Sequence, residues 1–174
     1  MKHKFSAGNV AQTTKLRIVR LKPHHINSAV KLITKSVGDK YEDANREVRN
    51  IFRKSCYRIY RFVDTYVIEL DGKVIGYGGI WAAKHDPKRF CMLDWLAIED
   101  SYRGRGLGTN LMNFLFERAK KRKIRYVYVE TSSDNKSAVK FYKKCGFRKL
   151  CTIPEYYDTG QDLVILLKSM PKVD

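Results

Sequence analysis

Leu93-Asp-Trp-Leu-Ala-Ile-Glu-Asp-Ser-Tyr-Arg-Gly-Arg-Gly-Leu-Gly-Thr109 is the stretch that decides the fold. An apolar run rich in strand formers ends at Ile98, a polar loop follows, and Gly104, Gly106 and Gly108 lead into a helical pattern. The order is strand, glycine loop, helix. Glycines there let the backbone turn sharply and approach a ligand closely, while the free N–H groups and positive dipole end of the new helix favour an anion such as a pyrophosphate. The spacing is neither G-x-G-x-x-G nor G-x-x-x-x-G-K-[ST], so two common nucleotide loops are excluded.

Downstream of the loop, Leu107, Leu111, Phe114, Leu115 and Ala119 set a helix that ends in Lys120-Lys121-Arg122-Lys123, where positive charge suits the C-terminal dipole. Arg125 to Thr131 reads as a strand, which makes a βαβ unit with parallel or splayed neighbours. Asn135 to Cys145 is a short helix with Ala138, Phe141, Tyr142 and Cys145 on one stripe, closed by Gly146. Phe147 to Ile153 and Gln161 to Lys168 are the last two strands.

Upstream, Leu16 to Leu21 alternates as a first strand, and Pro23 opens a helix with Ile26, Ala29, Val30, Ile33 and Val37 on its apolar face and Gly38 as its stop. A second helix is expected over about Glu42 to Tyr60, with Glu42, Asp43 and Glu47 in its first turn, where acids suit the dipole. Thr65 to Leu70, the Asp71-Gly72 turn and Lys73 to Ala83 form a hairpin, and Gly76-Tyr77-Gly78-Gly79 signals a bulge or a close backbone approach. Phe90 to Ile98 is a central strand interrupted only by Asp94. The resulting α/β order, β-α-α-β-β-β-α-β-α-β-β, implies a mixed sheet of about seven strands flanked by about four helices. Residues 1–15 read as a leader and residues 16–174 as one domain.

In the run Leu96-Ala97-Ile98, Arg103-x-x-Gly106-x-Gly108, the loop resembles the acetyl-CoA loop of the GNAT N-acetyltransferase superfamily. The later string Asn135-x-x-Ala138-x-x-Phe141-Tyr142-x-x-x-Gly146-Phe147 resembles that superfamily too, and the element order is similar from residue 16 to 168. Glu130, Asn135, Tyr142 and Ile153-Pro154-Glu155-Tyr156-Tyr157 look like the branch that acetylates protein N-termini, including the ribosomal-protein-alanine acetyltransferases. The resemblance implies that backbone groups of Leu96, Ala97 and Ile98 pair with the pantetheine arm. It implies that Arg103, Gly104, Arg105, Gly106, Leu107, Gly108 and Thr109 hold the pyrophosphate and that Asn135 contacts the cofactor. Glu130 would relay a proton from the acceptor amine, Tyr142 would protonate the departing thiolate, and Tyr156 and Tyr157 would wall the acceptor.

The residues themselves carry rival readings. Arg103 and Arg105 also read as solvated loop charges, Tyr142 as core, and Tyr156 and Tyr157 as packing for the turn. Glu130 ends the run Tyr126-Val127-Tyr128-Val129, where a carboxylate is costly to bury without a purpose or a partner. With reference pKa values, about a tenth of α-amines but only about one in two thousand lysine amines is neutral at pH 7, so an α-amine acceptor asks less of a base. A small amine is the alternative acceptor.

Composition bounds the rest. The net charge of +17 is read either as a solvated basic surface or as attraction for a polyanion, whether the phosphates of CoA or an RNA or ribosomal neighbourhood. No apolar run approaches a membrane span and the N-terminus lacks a signal-type core, so a cytoplasmic protein is expected. Cys56, Cys91, Cys145 and Cys151 lack metal or redox spacing, three of them lie in apolar segments, and His24-His25 after Pro23 reads as a solvated cap, so no metal is expected.

Overall fold

The computed structural model describes residues 15–37 and 59–171. Seven strands form one sheet in the order β1-β2-β3-β4-β5-β7-β6. They are β1 (Leu16–Arg20), β2 (Tyr60–Leu70), β3 (Lys73–Ala83), β4 (Phe90–Ile98), β5 (Tyr126–Ser132), β6 (Arg148–Ile153) and β7 (Leu163–Ser169). The described residues hold three α-helices, α1 (Ile26–Val37), α2 (Leu107–Lys121) and α3 (Lys136–Lys144). The expected second helix falls largely on residues 38–58, outside the described residues, and Tyr60 at its expected end instead begins β2.

The β2–β3 turn follows its dipeptide, since Asp71 and Gly72 both take positive φ, 49° and 83°, as a two-residue hairpin turn demands. Lys15, assigned to the leader, is tied to that turn: its N–H donates to the Asp71 carboxylate at 2.8 Å. The close approach anticipated around Gly76 is real, because a Cβ there would lie 2.8 Å from the Ile68 side chain. A register shift leaves Ile75 as an extra residue on β3 just before it.

Two apolar clusters sit on the two faces of the sheet. One joins Leu111, Met112 and Leu115 of α2 and Tyr142 of α3 to Ile80, Leu93 and Leu166. The other joins Ala29, Val30 and Ile33 of α1 to Val67, Tyr77 and Ala97. The basic run after α2 does more than answer the helix dipole. Arg122 reaches the fully buried Asp64 of β2 with two hydrogen bonds, 2.6 Å from Nε and 2.9 Å from Nη2, fastening the end of α2 to the sheet.

Cys91 is buried as expected, its thiol pushed up to about 12 by burial, whereas Cys151 is exposed on the edge strand β6. His25 corrects its own reading. It is 3% exposed, its Nδ1 accepts the Lys22 N–H at 3.1 Å, and its Nε2 faces Glu69 at 2.9 Å. Accepting at Nδ1 places the ring proton on Nε2, where it is donated to the Glu69 carboxylate. His24, His25 and Glu69 offer three ligand atoms within 4.8 Å of one another, and both ring nitrogens of His25 are engaged in hydrogen bonds.

Candidate active site

The sheet is antiparallel except where β4 meets β5, and that ladder is short. It pairs Phe90 with Tyr126, Cys91 with Val127 and Met92 with Tyr128, and then ends. On its other side β4 runs on along β3 to Ile98, with a register shift: Ile80 pairs with Leu93 and Gly78 with Leu96, so three steps on β4 span two on β3. The extra residue is a β-bulge at Asp94–Trp95, which kinks a strand and increases its twist. Beyond Met92, therefore, β4 and β5 part.

A cleft of about 600 Å³ occupies the gap. Leu93 to Ala97 form one wall and Val129 to Ser132 the other. Ile33 and Ser36 of α1 line it together with Ala138 and Tyr142 of α3, helices that pack on opposite faces, so the cleft passes through the sheet. Glu130, Asn135, Tyr142, Tyr156 and Tyr157, singled out from the sequence on separate elements, meet here along with Leu96 and Ala97.

Glu130 is not buried, contrary to the cost argument drawn from its neighbours. Its side chain is exposed along the cleft, yet the protein around the carboxyl holds its pKa above the usual carboxylate value by desolvation. Tyr142 is 8% exposed, its ring set edge-on against Phe141 and tilted against Phe147, and burial pushes its hydroxyl up to about 12. No protein group among the described residues hydrogen-bonds that hydroxyl, and it lines the cleft. The ring of Tyr142 is thus part of the core, while its hydroxyl belongs to the cavity. Tyr128, one pleat before Glu130, is pushed up to about 12, first by burial and then by the charges of Asp86 and Glu130.

Asn135 caps α3, its Oδ1 accepting from the Ala138 N–H at 3.2 Å and from the Ser137 hydroxyl at 3.0 Å. Its side chain is thereby held at the rim of the cleft. The glycine loop lies outside the cleft lining, at the start of α2. Gly106 takes φ +79° as the N-cap, no side chain caps the helix, and no acid stands in its first turn. A Cβ on Gly104 or Gly106 would meet no protein atom within 4 Å, so the protein leaves open space beside these amides. The first-turn N–H groups of α2 are accordingly left without a side-chain cap and beside open space, an arrangement that suits an anion.

The loop is braced by Arg103, whose Nε donates to the Ile98 carbonyl at 3.1 Å and whose Nη2 pairs with Asp100 at 3.0 Å. The Ile98 carbonyl, expected to serve a ligand, is therefore already engaged. Arg105 lies over the Tyr102 ring at 5.3 Å. Ser36, Trp81, Asp94 and Trp95, none of them given a site role from the sequence, also line the cleft. The one available signal was Asp94, the polar interruption in an otherwise apolar strand; the bulge that turns it toward the cavity depends on pairing with β3, which local sequence does not encode.

Comparison with known proteins agrees with this architecture. An N-alpha-acetyltransferase of Sulfolobus acidocaldarius is 29% identical over 158 residues, 81% of this chain and 92% of that protein. An uncharacterised N-acetyltransferase of Methanocaldococcus jannaschii is 33% identical over 113 residues, 61% of this chain and 66% of that protein, and the chain spans 31% and 38% of two further curated relatives. The crystal structure of the ribosomal-protein-S18-alanine N-acetyltransferase of Escherichia coli superposes with a TM-score of 0.73 at 17% identity, covering 92% of this chain and 97% of that one. Residues 32–147 match the acetyltransferase (GNAT) family, and the chain belongs to that family.

Proposed function

We propose that the protein transfers the acetyl group of acetyl-CoA to a primary amine, and that the acceptor is the α-amine of a protein or peptide N-terminus. The observation that carries the reading is the parting of β4 from β5 beside an uncapped helix start. An opened strand edge offers backbone amides to an amide-bearing chain, and exposed N–H groups at a helix N-terminus suit a pyrophosphate. Acetyl-CoA has both parts. Its pantetheine arm fits the β4 edge at Leu96 and Ala97, and its pyrophosphate fits the amides of Gly104 to Thr109, with Asn135 at the rim. When bound, it supplies an acetyl group activated as a thioester.

The chain's own residues then have separate tasks. Glu130, held above the usual carboxylate value, is a stronger base once ionised and takes a proton from the ammonium, directly or through water. Tyr142, at about 12, keeps its proton across the working range and donates a hydrogen bond to the departing sulfur. Tyr156 and Tyr157, ring centroids 5.2 Å apart, wall the acceptor side. The named activities of the Sulfolobus and Escherichia proteins support an α-amine acceptor. Release of free thiol from acetyl-CoA in the presence of N-terminal peptides, set against polyamines and aminoglycosides, tests it; turnover on the small amines far above that on every peptide would remove the peptide reading.

A second reading, a basic domain that docks on RNA or ribosomes, draws on one feature. Lys136, Lys140, Lys143, Lys144, Arg148 and Lys149 are exposed in a run without an acid, and none pairs with a carboxylate among the described residues. An RNA-binding titration against salt tests it, and a flat salt response would count against phosphate contacts.

A further inference from the structure

The two edges of the sheet differ in how their charges are answered. On β1, Arg17 pairs with Glu69 at 3.2 Å and Arg20 lies 3.8 Å from Asp64. At the β6 edge the cations stand alone. From residue 135 to 154 the chain carries six lysines and arginines and no acid, all six are exposed, and none pairs with a carboxylate among the described residues. Arg148 and Lys149 lie in β6 itself, and Lys143 and Lys144 in the last turn of α3 just before it.

β6 pairs with β7 on one side, and its outer edge meets no strand among the described residues. Within Arg148–Ile153 every residue but Thr152 is exposed. Two steps on β6, from Lys149 to Cys151, span one on β7, from Leu166 to Ile165, so Leu150 is the extra residue of a bulge. Leu150 is 61% exposed and Ile153 41%. β7 runs on to Ser169, past the Leu167 that faces the first residue of β6, and a recess of about 350 Å³ lies at that end, lined by Arg148, Lys149, Leu150 and Leu167 among others. It shares no lining residue with the cleft.

Charged side chains and a bulge on an edge strand keep sheets from pairing edge to edge. Here that protection works against a second copy of the same +17 chain, which like charge repels. It does not account for two aliphatic side chains left in water, or for the recess beside them. An acidic strand meets the opposite sign: the cations attract it, and Leu150 and Ile153 gain cover. We infer that the outer edge of β6 takes an acidic, extended segment of a partner protein as an eighth strand, with backbone bonds to Arg148–Ile153, carboxylates against Arg148 and Lys149, and an apolar side chain in the recess beside Leu150. The inference goes beyond acetyl transfer and does not depend on it. RNA phosphates would use the same cations but would leave the strand edge and the aliphatic side chains without a task.

The test titrates the full chain with a fluorescein-labelled peptide that alternates glutamate with isoleucine, followed by anisotropy. Saturable binding is expected, weakening as salt rises. The same peptide with its backbone N-methylated keeps its charge but loses its donors, and should bind at least about tenfold more weakly. Leu150→Asp, at an exposed position whose change opens no core cavity, should weaken the parent peptide by a similar factor. Hydrogen exchange of β6 amides should slow in the complex, and saturating acetyl-CoA should leave the binding in place. Absence of saturable binding, equal binding of the methylated peptide, or unchanged exchange at residues 148–153 would overturn the inference. Displacement by acetyl-CoA would overturn it too, by placing the peptide in the cofactor's phosphate site. Binding of hexauridylate with none of the peptide would assign the surface to RNA instead.

Discussion

Tyr142→Phe removes one oxygen from the centre of the site and nothing else. The ring keeps its neighbours Phe141 and Phe147, each 5.7 Å away between centroids, so no cavity opens. The hydroxyl has no protein partner among the described residues, so its loss strands no donor or acceptor, and stability should change by less than about 1 kcal/mol. For a domain of this size that is a shift in Tm of at most roughly 2–4 °C. Turnover should fall far more. Loss of a positioned donor to the departing thiolate costs on the order of 10²-fold or more in rate, about 2.7 kcal/mol of barrier at the lower end. Because burial holds the hydroxyl at about 12, it stays protonated from pH 6 to 9, and the fold-loss should be the same at every pH in that range. Thiol release at saturating acetyl-CoA and acceptor, with thermal melts of the same samples, reads both quantities. Turnover within about threefold of the parent would refute the role given to Tyr142, as would a loss that disappears on moving across that pH range.

Glu130→Gln should lower kcat with acetyl-CoA affinity little changed, most strongly at low pH where the acceptor ammonium is hardest to deprotonate. It should also raise Tm near neutrality: a carboxyl whose folded pKa is raised stabilises the fold below its unfolded value of about 4.3 and loses that contribution as pH rises through the folded value, so the variant's advantage should vanish in melts below about pH 4. Gly106→Val places a β-branched residue at φ +79° and a side chain in the space beside the helix-start amides, so calorimetry should show acetyl-CoA binding weakened at least tenfold, roughly 1.4 kcal/mol, in a folded protein. Arg122→Ala leaves the fully buried Asp64 with Arg20, 3.8 Å away, as its remaining ion partner among the described residues and should cost about 3–5 kcal/mol in denaturant unfolding. Asp64→Ala leaves an Arg122 side chain that is 36% exposed and able to reach water, so it should cost less; equal costs would show that burial is not what makes the pair matter.

Elements set by local patterning were legible, and those set by partners were not. The limits of β4 were read directly, and those of α2 and α3 to within two residues, because periodicity, the glycine loop and the Asn135 and Gly146 caps are written into adjacent residues. The hairpin turn followed from Asp71-Gly72, yet β2 begins at Tyr60, five residues before the alternation suggested, because pairing with the long β3 extends it. His25 was misread for a related reason. Its partner Glu69 lies 44 residues away on a different strand, so nothing near Pro23 shows that the ring is buried and spoken for. Arg122, in a run of four basic residues, looked interchangeable with its neighbours, although only contact with Asp64, 58 residues away, gives it a separate task.

The same division explains the cleft. A strand as apolar as Phe90 to Ile98 reads as the centre of a sheet, and on its β3 side it pairs through to Ile98 across one bulge. An opened ladder on the other side leaves interior backbone groups without a strand partner, which is unfavourable unless something else satisfies them. The bulge at Asp94–Trp95 supplies the geometric cause, since an extra residue bends β4 just past its last pair with β5. It also rotates two side chains, one acidic and one aromatic, into the wall of the cavity that it opens. Opening the sheet and furnishing the opening are thus one structural event. An acid in a core strand, unfavourable under regular pairing, becomes tolerable at this position because the bulge that carries it also gives it access to a polar cavity.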